Sequence, residues 1–199
     1  MRRAAPKDVT MVGLIQKVLL DLIESVGGPD VVAEVRRRAQ LPEDRRFRLD
    51  TVYPDDEWQR LLRATGEVLN KSQDELEIIY ADYFGRDALR RWPVWFETSA
   101  SARQFLERQQ TIHNTFATGV SDPGERRNIS DKFRLERLPH ELVVRYRSPN
   151  QLCGLYRALA QWVLDHYHEQ ASIEDTRCTK RGDAECEIHV RWPQVAERA

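Results

Sequence analysis

Three cysteines are the residues in this chain with the clearest capacity for chemistry. Cys178 and Cys186 stand eight apart in "TRCTKRGDAECEIHV", around a Lys-Arg-Gly-Asp turn. With Gly182 at the centre of a hairpin, the two face one another, at a Cβ separation of roughly 4.5–5.5 Å. That spacing suits a disulfide, a shared metal ion or two free thiols. Cys153 is the third thiol, and an odd count fits a disulfide framework poorly. His113, in "RQQTIHNTF", is the second chemical candidate. It lies seven residues after Leu106 and three before Phe116, on one helical face. From the pattern alone this is more often a core histidine with a hydrogen-bond partner; the functional alternative is a single axial ligand to heme iron, presented from an apolar wall. "RYRSPNQLC" is the third candidate stretch, where a strand ending at Tyr146 passes through Ser148 and Asn150 into a helix that opens near Cys153. His140, His166, His168 and His189 show no metal-ligand spacing, and no nucleophile triad, phosphate loop or dinucleotide fingerprint is present. Paired acids such as Asp55-Asp56 read as helix-start charges. An enzyme is therefore the least expected class.

The elements that position these residues follow from periodicity. From residue 11 to about 119 the chain reads as successive helices. "VGLIQKVLLDLIESVGG" carries Leu14, Val18, Leu19, Leu22 and Ile23 at helical spacing and stops at Gly27-Gly28. A short helix follows from Pro29, and residues 40–53 read as a charged loop. Two longer helices come next, the second opened by a Ser72/Glu75 capping box. Pro93 interrupts the run before the His113 helix. After Gly119, "SDPGERRN" reads as a turn cluster. "KFRLERL" and "ELVVRYR" form a hairpin, "NQLCGLYRALAQWVLDHYHEQ" a long helix, and the cysteine strands a final hairpin. The fold class is α+β, an N-terminal helical subdomain followed by a C-terminal antiparallel sheet with one long helix. One domain spans 11–191, its helical half about 11–119 and its sheet-containing half about 120–191. Residues 1–10 form an extension and 192–199 a tail.

Composition narrows the partners. The 199 residues hold 31 basic and 32 acidic side chains, so no global field favours nucleic acid or an anionic membrane. The basic clusters Arg36-Arg37-Arg38 and Arg45-Arg46 have acids close by and read as solvated faces. The apolar stretch after the N-terminus contains Lys17 and Asp21, which argues against a signal peptide or membrane span. A cytoplasmic location with reduced thiols is expected.

The order of these pieces resembles the H-NOX (heme–nitric oxide/oxygen binding, HNOB) family, related to the heme domain of soluble guanylate cyclase. "MVGLIQKVL" looks like the family's opening M-x-G helix, and "TIHNTF" matches the position of its proximal heme ligand. "YRSPN" is similar to the Y-x-S-x-R motif that holds the heme propionates. The resemblance implies heme b with His113 as axial ligand and Tyr146 and Ser148 as propionate anchors. Asn150 stands where the family has arginine, whose bidentate pairing with a carboxylate Asn does not replace; Arg145 and Arg147 are possible substitutes. Members that bind oxygen place a tyrosine where Leu155 stands here, supported by an Asn where Phe84 stands. With Ile15 and Leu19 on the first helix, this implies an apolar distal pocket that binds nitric oxide and carbon monoxide rather than oxygen. A one-turn shift of register puts Tyr80, Tyr83 or Tyr156 there as donors.

Relatives, including vinyl-reductase-like sensor domains, carry a zinc near the C-terminus. The matching positions are Cys153, Cys178 and Cys186, with Asp175 as fourth ligand and Glu174 in reserve. Asp175 is an odd step from Cys178, so a β-bulge is needed to bring both to one face. The implied function is a gas sensor acting in trans on a histidine kinase or cyclic-nucleotide enzyme, since the chain holds no output domain. A heme-free small-molecule sensor and a zinc/thiol redox sensor are the alternatives.

Overall fold

A computed structural model describes residues 10–193 apart from 117, 121, 131 and 149. The N-terminal extension up to residue 9 and the tail from residue 194 lie outside the described residues. The described chain forms two compact units. One comprises Met1–Tyr80 and His113–Ser130, the other Ala81–Ile112 and Asp131–Ala199.

The first unit is built on a long helix. A short strand, β1 (Thr10–Val12), pairs antiparallel with β2 (Val52–Pro54) through Met11↔Tyr53. Helix α1 (Gly13–Arg38) follows at once, and Gly13 is there because nothing larger fits. A Cβ at this position would lie 2.4 Å from the Arg48 carbonyl oxygen and 2.5 Å from the Tyr53 ring. Leu14, Val18, Leu19, Leu22 and Ile23 are all buried. The glycine pair separates two helical stretches that meet across a kink, as the sequence leads one to expect. Gly28 takes φ 74°, a left-handed value open to glycine, and Pro29 restarts the helix.

The charged stretch after α1 is tied down by Arg36, whose guanidinium donates to the carbonyls of Pro42, Glu43 and Arg45. Helix α2 (Asp55–Leu69) begins with three acids, as the helix dipole favours, and ends on Asn70 at φ 50°. Helix α3 (Gln73–Arg91) opens on the expected capping box. The Ser72 N–H donates to Glu75 at 2.8 Å, and the Glu75 N–H to the Ser72 hydroxyl at 3.3 Å. "SDPGERRN" is not a turn cluster: it folds as helix α6 (Pro123–Ser130). Asp122 caps it by accepting the Glu125 N–H at 2.8 Å, and Pro123 occupies the first turn, so Asp-Pro is a helix start here.

The second unit contains the end of α3, the short α4 (Pro93–Glu97), most of α5 (Ala102–Thr115) and a four-stranded antiparallel sheet. Its strands are β3 (Phe133–Leu138), β4 (Glu141–Tyr146), β5 (Ser172–Arg177) and β6 (Cys186–Arg191), in the order β3-β4-β6-β5. Helix α7 (Cys153–His166) connects β4 to β5. Leu142, Val144 and Tyr146 share the buried face with Cys186, Ile188 and Val190. The opposite face carries charge: His189 meets Glu141 at 2.6 Å and Glu187 at 3.3 Å, while Arg145 pairs with Glu136 and Glu187. The α+β class read from the sequence is the observed one, with β1, β2 and α6 added.

Candidate functional site

The cysteines are brought together. Cys153, Cys178 and Cys186 are buried free thiols whose sulfurs all lie within 4.8 Å of one another. Three elements achieve this. Cys153 is the first residue of α7, Cys186 the first of β6, and Cys178 follows the end of β5. The pairing Arg177↔Glu187 carries Cys178 to the place opposite Cys186. A 3-10 turn, Thr179–Arg181, then reverses the chain and closes on Gly182 at φ 94°. The Cys178 carbonyl accepts the N–H of Arg181, and its own N–H donates to Asp183 at 2.8 Å. The Cys153 and Cys178 sulfurs are 3.3 Å apart, and the Cys186 sulfur accepts the Thr179 N–H at 3.2 Å. Burial, followed by the neighbouring sulfurs, pushes the Cys153 thiol well above its usual range.

A register shift lies between Asp175 and Arg177, so Asp175 shares the inner side of β5 with Ile173 while Glu174 and Thr176 face outward. Asp175 is outside the 4.8 Å sulfur group. One of its oxygens meets Arg157 at 3.1 Å; the other is buried with no hydrogen-bond partner among the described residues. Burial raises its pKa, opposed by Arg157, Arg181 and Lys180. Glu174 is committed elsewhere, to Arg191.

The propionate-motif residues occupy the β4–α7 junction. Tyr146 is buried at the end of β4, against Phe133 with ring centroids 4.9 Å apart. Ser148 and Asn150 are buried too, and the Ser148 hydroxyl accepts the Asn150 N–H at 3.3 Å. Pro149 lies outside the described residues. Of the two arginines that could replace the missing one, Arg145 is held on the outer sheet face by two glutamates and Arg147 is exposed. Lys132, a buried cation that the sequence did not single out, accepts the Arg147 N–H at its carbonyl.

His113 sits near the end of α5, half-buried, with Nδ1 shielded from solvent. Of the four distal-pocket positions, Leu19 and Leu155 are buried and Ile15 and Phe84 half-buried. Among the potential donors, the Tyr80 hydroxyl donates to the Ile15 carbonyl at 3.0 Å, while Tyr156 has a buried hydroxyl with no hydrogen-bond partner among the described residues. The sequence reading missed Gln16, fully buried in α1 with neither amide atom hydrogen-bonded among the described residues. A lone amide in "GLIQKVLL" was the available signal.

The Haem-NO-binding (HNOB) family profile matches residues 12–175. The chain belongs to that family. Among solved structures it is similar to an H-NOX protein of S. oneidensis in its Fe(II)NO state, with a TM-score of 0.77 and 18% identity over 92% of this chain and 100% of that one. It is also similar to an oxygen-binding H-NOX domain related to soluble guanylate cyclases, with a TM-score of 0.72 and 16% identity over 95% and 98%. At these identities the likeness shows the H-NOX fold, which is common to an NO complex and an oxygen complex. A soluble guanylate cyclase of Caenorhabditis elegans, gcy-37, is 28% identical over 105 residues, 52% of this chain and 15% of the cyclase. The match thus spans a small part of that relative's length.

The donor set of this H-NOX chain fits a heme: a half-buried imidazole, two buried hydroxyl residues and a buried amide. At the motif's last position it offers the neutral Asn150 in place of arginine, and the motif's own cation, Arg147, is exposed. No helix among the described residues is long and apolar enough to cross a membrane.

Proposed function

We propose that residues 11–191 act as a heme-based gas sensor that binds nitric oxide and carbon monoxide rather than oxygen. Family membership over residues 12–175, together with an imidazole at the family's ligand position, carries this reading. Heme b, when bound, supplies the iron that takes the diatomic gas. His113 would be the protein ligand to that iron, and Tyr146 and Ser148, with the Asn150 amide, would be the residues to hold the propionates. Ile15, Leu19, Phe84 and Leu155 keep the gas side apolar. Oxygen needs a donor for the negative charge it acquires on the iron, whereas nitric oxide and carbon monoxide do not. Tyr80 supports the same conclusion, because its proton already goes to the Ile15 carbonyl.

The three thiols and Asp175 form a zinc site in this proposal. Zinc–sulfur bonds of about 2.3 Å set tetrahedral ligands roughly 3.8 Å apart, which the sulfur cluster accommodates. Signalling runs in trans, in the cytoplasm, to a histidine kinase or a cyclic-nucleotide enzyme.

Two other readings keep a specific observation each. Asn150, in place of arginine, favours a heme-free small-molecule sensor. The 3.3 Å approach of Cys153 and Cys178 favours a thiol redox sensor, in which a peroxide takes two electrons from the pair and is reduced to water as they form a disulfide and release the metal. The optical spectrum of purified protein separates the first from the heme reading: a Soret band is expected, and colourless protein that takes up no added hemin overturns it.

A further inference from the structure

Arg157 occupies α7 one turn after Cys153, so the two side chains share a helix face. Its guanidinium reaches across to β5 and meets Asp175 at 3.1 Å. Only one carboxylate oxygen is engaged there. The other is buried with no hydrogen-bond partner among the described residues, an arrangement that is costly unless something occupies it. The pairing Asp175↔Ile188 puts this carboxylate on the inner side of β5, and the β-bulge before Arg177 brings Cys178 to the same side.

We propose that Arg157 is a positioning residue for the metal site, holding one oxygen of Asp175 so that the other serves as fourth ligand. This rests on the zinc reading above and deepens it. Electrostatics gives the reason for an arginine here. A divalent zinc with three thiolates and a carboxylate carries a net double negative charge, and a buried charge of that size needs compensation. The Arg157 guanidinium offsets one unit of it, and Lys180 and Arg181 in the neighbouring turn add to the positive field at Asp175. A hydrogen-bonded, charge-paired carboxylate also has its orientation fixed. Outer partners of this kind typically change metal affinity by 10–100-fold.

The test uses the full chain, reduced and stripped of metal, titrated with cobalt(II) and then with zinc against a chromophoric chelator. Wild type is expected to give a tetrahedral cobalt spectrum with thiolate charge-transfer bands. Arg157→Gln is expected to bind about 10–100-fold more weakly and to shift the visible bands as water replaces the carboxylate. Asp175→Asn should produce the same shifted spectrum, and Arg157→Lys should regain part of the affinity. The double variant Arg157→Gln/Asp175→Asn should be no weaker than Asp175→Asn alone, since the arginine acts through the aspartate. Unchanged affinity and spectrum in Arg157→Gln, or additive losses in the double variant, would overturn the proposal. If Arg157→Gln does not fold, Arg157→Lys against Asp175→Asn decides it: an affinity below wild type, as far down as that of Asp175→Asn, supports the proposal, and wild-type affinity and spectrum contradict the need for a fixed guanidinium. No cobalt–thiolate band in wild type sinks the zinc reading itself, a result distinct from metal binding that ignores Arg157.

Discussion

Tyr146 and Cys186 are direct cross-strand partners, paired between β4 and β6 and buried on the same face of the sheet. Directly opposed side chains on one face interact, so a change at either is felt by the other. One of them is the proposed propionate anchor and the other a proposed zinc ligand. Cys153 adds a second link, because α7 begins just after Ser148 and Asn150 and continues through Leu155.

Cys186→Ser should therefore lose the zinc, from about one per chain to almost none, and should also disturb the heme. Metal analysis of untagged protein checks the first. Faster heme transfer to an apo-myoglobin acceptor checks the second. Thiolate ligands must be deprotonated, so acid and oxidants should both release the metal. Zinc-free wild type with three freely reactive thiols would remove the site.

His113→Ala should give colourless protein that regains colour with added imidazole. Normal heme content in that variant would move the ligand elsewhere.

Asn150→Arg restores the family's charge at the propionate motif. A charge-assisted hydrogen bond contributes about 1.5–3 kcal/mol, so heme loss should slow by about tenfold or more. Heme loss at the wild-type rate would mean that the propionates are already neutralised, and the buried Lys132 is the first residue to replace in that case.

The start of α3 should respond to acid. Hydrogen bonding from the Ser72 N–H, then from Lys71 and the Ser72 hydroxyl, draws the Glu75 carboxyl from 4.5 down to about 2. A folded pKa below the unfolded one stabilises above the unfolded value, and this contribution fades as pH falls from about 4.5 towards 2. Glu75→Gln should remove that part of the acid dependence, as read by thermal melts across the window. A wild-type slope in the variant would discount the capping box.

Local patterns made much of this chain legible. The capping box, the α+β order and the opposed cysteines each depend on residues within a few positions of one another. What escaped notice depends on distant partners. β1 and β2 are three residues each, too short for alternation to register, and their pairing joins Met11 to Tyr53. Arg157 looks like any exposed helix charge until β5 folds beside α7. Asp122-Pro123 was misread for another reason: the same pair starts turns and caps helices, and burial of Ile129 decides between them. Gly27-Gly28, by contrast, is legible as a helix stop: Gly28 leaves helical geometry and Pro29 starts the next helical stretch across the kink.

The most direct measurement is the absorption spectrum of the reduced full-length chain, recorded without gas and then under oxygen, carbon monoxide and nitric oxide. An apolar distal side predicts new Soret positions with carbon monoxide and nitric oxide. Under air it predicts no lasting oxygen complex, only the unliganded spectrum and slow oxidation. A stable oxygen spectrum would contradict the account and point to Gln16 or Tyr156, two of the buried polar side chains with no hydrogen-bond partner among the described residues, as the donor.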